Sequence, residues 1–197
     1  MLHCWEIDSA TFSLAHETAL TPSPAVCMSH NEAADFTSDT EFTMNAEEKL
    51  KELGIELPEP PKAAGMYKLA VVSGNMLYTS GHVPLDENGK VIKGCVGKDA
   101  DEDAAKAAAR RSGLGILASV KQKLGSLDKV QRLVKILGLV NCTSDFTGQP
   151  GVINGCSELM RDVFGEENGI GARSAVGTNS LPLGCIVEIE AIFELKD

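Results

Sequence analysis

Hydrophobic and polar positions alternate along several segments of the chain, and this alternation predicts β-strands. Segments 69–73 and 76–80 consist of β-type residues on either side of Gly74-Asn75, a dipeptide typical of a two-residue hairpin turn. Segment 130–141 is longer and has apolar residues in both alternating sets. We therefore expect helices to cover one face of this strand and a second dry layer, such as another subunit, to cover the other.

Three other segments have the signals of helices. Asn45 is the predicted N-cap of a short first helix, because Glu48 follows it at the spacing of a capping box. A long alanine-rich helix is expected over 100–124 with Asp99 as its N-cap, and a third helix is expected near 152–164.

Glycines and loops separate these elements and suggest the fold class. Gly125 and Gly165 are expected to end the second and third helices. A loop over 166–171 is expected next, followed by a short strand over 174–178 and a longer final strand over 185–195. After the first helix the predicted order is β, β, α, β, α, β, β. This order predicts a two-layer α+β fold with two main helices on one face of a mostly antiparallel sheet.

Charge divides the chain into two parts. Residues 1–43 contain seven acidic residues and no Lys or Arg, so we expect a poorly ordered acidic tail there and one domain over 44–197. Of the 28 acidic residues, 21 remain in that domain against 18 basic ones, a net charge of −3. This balance disfavours nucleic-acid binding. No apolar run approaches the ~20 residues of a membrane helix. A tail without basic residues also argues against secretory and mitochondrial targeting, so a cytoplasmic location is expected.

Cysteine and histidine usage suggests neither a disulfide framework nor a metal site. The six cysteines are far apart and form no CxxC pair, so buried reduced thiols are expected for most of them. The tail residues that could bind a metal are too loosely spaced to indicate a site. They are His3, Cys4, His16, Cys27 and His30.

One arginine and two glutamates near the end of the chain form the most site-like pattern. Arg173 follows a glycine-rich loop at the start of a strand, where its guanidinium can bind a carboxylate through two parallel hydrogen bonds. The alternative is a structural ion pair with Glu188 or Glu190. These glutamates share one face of the last strand, and a buried carboxylate there can hold a water or act as a base. An ordinary polar face is the alternative.

Four further residues can contact a ligand. Ser80 and Gly81 end the second strand, where a hydroxyl and an accessible backbone amide can contact an anion. Tyr67 can cover a pocket or lie at the edge of the core, and Asn154 can bond a ligand or cap its helix. A serine-hydrolase triad is not indicated, because there is no nucleophile elbow and His82 is the only histidine after residue 43. We expect His82 to be packed or on the surface.

From about residue 62 onward, the chain resembles the RidA/YjgF family, the reactive-intermediate deaminases also known as perchloric-acid-soluble endoribonucleases. The resemblance covers roughly two thirds of the chain. The pieces that carry it occur in the family's order. They are Gly74-Asn75, Thr79-Ser80-Gly81, the alanine-rich helix, the Asn154 helix, Ala172-Arg173-Ser174, Leu181-Pro182 and Val187-Glu188-Ile189-Glu190-Ala191.

The resemblance implies a chorismate-mutase-like fold that assembles as a homotrimer, with a central barrel and clefts between subunits. It implies that Arg173 binds the carboxylate of a 2-imino acid and that Glu188 helps to place the attacking water. The remaining implied cleft residues are Tyr67, Ser80, Gly81, Asn154 and Ala175.

Three positions depart from the pattern of the family. Ala175 stands where many members have a cysteine, which removes a thiol; the loss is tolerable if this position contributes mainly its backbone carbonyl. Gly171 replaces the usual proline, and Ser157 lies where an aromatic residue is common. These departures indicate a divergent branch of the family with a larger, more flexible cleft.

The expected function is therefore hydrolysis of small 2-imino or enamino acids to 2-oxo acids and ammonia, without a metal or organic cofactor. One alternative is the endoribonuclease or translation-inhibitor activity associated with the family, which the net charge of −3 over 44–197 disfavours. The other is a non-enzymatic trimer that binds a small carboxylate or a partner protein.

Overall fold

The computed structural model describes residues 45–197, which contain three α-helices and five β-strands. The tail predicted over 1–43, with its candidate metal ligands, lies outside the described residues, so the domain boundary stays a prediction. The elements in chain order are α1 (Ala46–Glu52), β1 (Ala70–Ser73), β2 (Met76–Thr79), α2 (Glu102–Leu124), β3 (Val130–Asn141), α3 (Gln149–Gly169), β4 (Ala172–Thr178) and β5 (Val187–Leu195).

The five strands form one sheet in the order β1-β2-β5-β3-β4. Three of the four pairings are antiparallel, and only β3 and β4 run parallel. A parallel pair needs a crossover connection, which α3 supplies. The α+β class, the mostly antiparallel sheet and the hairpin at Gly74-Asn75 are thus confirmed. No helix in residues 45–197 is long and apolar enough to cross a membrane.

The helix ends follow local capping chemistry, with one correction. Asn45 accepts a hydrogen bond from the Glu48 amide through Oδ1 (2.9 Å), as the capping box predicts. The N-cap of α2 is Asp101, whose Oδ1 accepts from the Ala104 amide at 2.7 Å. The prediction of Asp99 was wrong, because its carboxylate instead accepts from the amide of residue 95 and closes the preceding turn.

The third helix is longer than the sequence predicts. It begins at Gln149, because Pro150 is well suited to a first turn, where an amide hydrogen is not needed. Gly165 interrupts it with φ 81° and ψ 170°, so the regular helix does end there as predicted. However, the chain is helical again from residue 166 to Gly169. The prediction of a loop over 166–171 is therefore wrong for its first four residues.

The hydrophobic core lies between the sheet and α2 and α3. The small residues of α2 are buried there, so this helix packs closely against its neighbours. Fully buried large side chains from the strands complete the core, among them Leu77, Ile136, Ile189 and Phe193.

The opposite side of the sheet is covered by no helix of the described residues, and we call it the open face. Leu137 and Leu139 of β3 lie on it, half-buried, while Tyr78 and Val176 are exposed there. Paired residues on neighbouring strands share a face, so Glu188, which pairs with Leu139, is also on it. The second dry layer that the sequence predicts for β3 stays a prediction, because no partner chain is present.

Candidate functional site

Arg173 lies on the helix side of the sheet. It pairs with Ile136, whose side chain is buried under the helices, and β4 is an edge strand, so the guanidinium extends toward α3. Its Nη1 donates to Asn154 Oδ1 at 2.8 Å and to Ser157 Oγ at 3.1 Å. Both acceptors are neutral, so the positive charge is held in place without being neutralised.

No carboxylate of residues 45–197 lies within salt-bridge distance of Arg173. An ion pair of Arg173 with Glu188 or Glu190 of the same chain, the predicted alternative, is therefore absent. A cavity of about 440 Å³ opens beside the guanidinium, between α3 and the segment that leads into β4. An exposed guanidinium at the wall of a cavity is suited to binding an anionic ligand.

Glu188 lies on the other side of the sheet, on the open face. Burial raises the pKa of its carboxyl above the ordinary value, and the negative charge of Glu190 raises that pKa further. The carboxylate lies directly against the backbone of Gly81, where any side chain would collide with it. The sequence predicts that Gly81 allows an anion to approach its backbone closely. In the structure, the anionic group that approaches Gly81 is the carboxylate of Glu188.

Ser80 adds an unsatisfied polar group beside Gly81. Its Oγ is buried and has no hydrogen-bond partner among the described residues. Buried hydroxyls are normally bonded, so an unpartnered one is a candidate for binding a ligand or an ordered water.

His82 is packed in the interior, which is one of the two locations predicted for it, the other being the surface. Its Nδ1 is 2.8 Å from the Ser80 carbonyl, which can only accept, so Nδ1 carries the proton and Nε2 accepts from Ser119 Oγ at 2.8 Å. Burial lowers the pKa of this imidazole, which favours the neutral form. Because its ring nitrogens are occupied and buried, His82 supports the fold rather than a hydrolytic triad.

The two remaining predicted residues lie in different parts of the chain. Tyr67 is exposed in the segment before β1, and its hydroxyl accepts from the Ala64 amide at 3.2 Å. Ala175 pairs with Gly138 on the helix side, two residues after Arg173, and packs partly against the core. Neither contact tests the ligand-binding roles expected for these residues.

The structure thus separates the predicted residues into two groups on opposite faces of one sheet. Arg173 and Asn154 belong to the helix side, whereas Glu188, with Gly81 against it, belongs to the open face. The cause is strand register: Arg173 is opposite position 136 of β3, and Glu188 is opposite position 139. An odd separation along a strand reverses the face, so the two charged groups cannot meet within one chain.

Some features of the site were not predicted from sequence. Ser157 was noted only as a departure from the family pattern, although its spacing from Asn154 places both side chains on one face of a helix. By contrast, the buried reduced thiols predicted from the sequence are confirmed at Cys156 and Cys185, which are free and buried, and burial raises their pKa values to about 12 and about 11. No group of three or more His, Cys, Asp or Glu side chains within 45–197 could hold a metal ion.

Comparisons with known proteins identify the family. The model of the family described as "YjgF/chorismate mutase-like, putative endoribonuclease" matches residues 47–195. The chain belongs to the RidA/YjgF family. This confirms the resemblance on which the expected fold was based.

Individual proteins match the chain over most of their own length. Protein TCP17 of Trypanosoma cruzi is 40% identical over 148 residues, which is 75% of this chain and 92% of that protein. The crystal structure of Atu1372, a protein of unknown function from Agrobacterium tumefaciens, has a TM-score of 0.69 at 42% identity, covering 77% of this chain and 94% of the other. A structure from Shewanella oneidensis, named a putative endoribonuclease, has a TM-score of 0.73 at 29% identity, covering 77% and 100%. These matches extend the family's fold to this chain.

Proposed function

We propose that this family member hydrolyses small 2-imino or enamino acids to 2-oxo acids and ammonia. The observation that carries the proposal is the state of Arg173, whose guanidinium is oriented by Asn154 and Ser157 and neutralised by no carboxylate of the described residues. A cation held in this way is prepared to receive the carboxylate that all 2-imino acids carry.

The reaction also needs a positioned water, for which Glu188 is the candidate. Imine hydrolysis adds water across the C=N bond and then breaks the C–N bond, so that the carbon keeps the oxygen and the nitrogen leaves as ammonia. A carboxylate with a raised pKa can accept a proton from the water as it adds and return it to the departing nitrogen. The unpartnered hydroxyl of Ser80, the residue before Gly81, is suited to bonding the water or substrate.

The proposed site requires more than one copy of the chain. Arg173 and Glu188 point to opposite sides of the sheet, so a substrate that contacts both must lie between two subunits. Leu137, Leu139 and Val176 supply an apolar surface on the open face that a neighbouring copy can cover. We therefore propose the homotrimer expected of the family, with Arg173 from one subunit and Glu188 from the next.

Release of ammonia and 2-oxo acid from an imine generated in situ tests the activity. We expect the wild type to exceed the spontaneous rate and Arg173→Ala to lose most of the excess. Arg110→Ala, which removes a partly exposed arginine of α2, should keep it. A wild type no faster than the uncatalysed reaction, or equal losses in both variants, would overturn the proposal.

Mixing two inactive variants tests the shared site. Arg173→Ala and Glu188→Gln subunits, refolded together at equal amounts, should recover about a quarter of the wild-type activity, because about one interface in four then combines both intact residues. If the mixture stays as inactive as its parents, the two residues do not act across an interface.

The family model's description also names an endoribonuclease. A filter-binding titration separates this alternative, since RNA binding through phosphate contacts weakens steeply as salt rises. Ligand-induced thermal stabilisation by a small carboxylate without any turnover would instead indicate a binding protein.

A further inference from the structure

A second guanidinium lines the cavity beside Arg173. Asn154, Ser157 and Arg161 lie on one face of α3, since they are spaced by three and four residues, and all three line this cavity. Arg161 is one helical turn beyond Ser157, a rise of roughly 6 Å along α3, and Ser157 Oγ accepts a hydrogen bond from Arg173 of β4.

The cavity lining carries two arginines and one carboxylate, and three carboxylates lie near Arg161, those of Glu158, Asp162 and Glu166. Glu158 also lines the cavity, but its carboxylate accepts from Lys106 Nζ at 2.8 Å. Asp162 accepts from Arg161 Nη2 at 2.8 Å and also lies 3.9 Å from Arg110 Nη1. The Arg161–Asp162 pair is partly exposed and thus weak, and Arg161 Nη1 donates to no group of the described residues.

Apolar side chains share the cavity with the two arginines. Leu133, Ile136 and Ile170 line the same cavity. The wall formed by Ile170 is held close to β3, because the backbone of Gly171 lies so near Leu133 that an added Cβ would be 2.8 Å from its carbonyl oxygen. This cavity can accommodate a short methylene chain whose two ends are negatively charged.

We propose that Arg161 selects substrates with a second carboxylate, namely 2-imino dicarboxylates with one or two methylene groups between the ends. This inference rests on the proposed function. Arg173 binds the carboxylate next to the imine, the methylene groups contact the apolar wall, and Arg161 Nη1 binds the distal carboxylate in place of water. The guanidinium of Arg161 is a specificity-determining group and takes no part in the bond changes.

The preference between two substrates tests this assignment. With imines generated in situ by amino-acid oxidases, kcat/KM should be about tenfold higher for 2-iminoglutarate than for 2-iminobutanoate. Arg161→Gln should abolish this preference by raising KM for the dicarboxylate alone. Arg110→Gln is the matched control, because its side chain is 41% exposed against 42% for Arg161 and also approaches Asp162, but does not line the cavity.

The outcomes separate this inference from the proposed function. A wild type that hydrolyses 2-iminobutanoate equally well or better, or an Arg161→Gln variant that slows both substrates alike, overturns the role of Arg161 and leaves the hydrolase intact. If neither imine is hydrolysed, the proposed function fails. The role of Arg161 is then decided by thermal shift, where 2-oxoglutarate should stabilise the wild type more than 2-oxobutanoate does, and Arg161→Gln should show no difference.

Discussion

Replacing Gly81 with alanine places a methyl group where the Glu188 carboxylate lies. The added Cβ would be 2.8 Å from Glu188 Cδ and 2.9 Å from Cγ, closer than carbon atoms approach one another in proteins, and closer still to Oε1. The backbone at Gly81 does not need a positive φ, so alanine introduces no strain of its own. The Glu188 side chain therefore has to move, and the change tests its position directly.

The size of the effect follows from this geometry. Moving a side chain out of its rotamer costs about 0.5–1.5 kcal/mol, so we expect the free energy of unfolding to fall by roughly 1 kcal/mol. Displacing a water-positioning carboxylate by about 1 Å lowers the rate by on the order of 100-fold. The loss should appear in kcat, because Arg173, which is expected to bind the substrate carboxylate, lies on the opposite face and is unaffected.

Imine hydrolysis and urea unfolding, measured on the same preparations, give both quantities. Gly115→Ala is the matched control, because its added Cβ meets only His82 Cδ2 at an ordinary 3.6 Å. This variant should keep its activity and gain stability, since alanine favours a helix by about 1 kcal/mol over glycine. A Gly81→Ala enzyme within about threefold of the wild-type kcat would refute the assigned position and role of Glu188.

Two further predictions concern pH. Because the charge of Glu190 raises the pKa of Glu188, Glu190→Gln should move the acid limb of the pH profile of kcat to lower pH. Glu194→Gln is the control, because Glu194 is the next glutamate along the same strand and is paired with Arg132, so its replacement should move the acid limb less. Equal shifts in the two variants would argue against local coupling between Glu190 and Glu188. Burial lowers the pKa of His82 in the folded protein below the ordinary value of 6.5. The stability that neutral His82 contributes is therefore fully present above pH 6.5 and is lost as the pH falls through the lower pKa of the folded state. The urea midpoint of the wild type should therefore fall more steeply on acidification than that of His82→Gln, and parallel slopes would contradict this.

Local signals explain which parts of the fold were predictable. The Gly74-Asn75 hairpin, the Asn45 cap and the helix end at Gly125 each depend on a few adjacent residues, and the structure confirms them. The N-cap of α2 was mispredicted because Asp99 and Asp101 are equally suited to the role. The choice depends on the preceding turn, which uses the Asp99 carboxylate.

The candidate site was predictable as chemistry but not as geometry. Arg173 and Glu188 were recognisable from their positions at strands and from the family resemblance. Whether they meet depends on how β4 and β5 align with β3, and a shift of one residue reverses a face. Similarly, the hydrogen bond between Arg173 and Ser157 depends on the packing of α3 against β4, which the sequence of neither segment specifies.

The amino-acid sequence by itself determined the elements, the family and the residue types available for binding an anion and activating water, because these depend on local pattern and side-chain chemistry. Only the tertiary structure decided that Arg173 faces the helices without a carboxylate partner among residues 45–197, that Glu188 lies against Gly81 on the other side, and that Arg161 shares a cavity with Arg173. These spatial arrangements depend on strand register and helix packing, which bring together residues far apart in the chain and cannot be inferred from the pattern of any short segment.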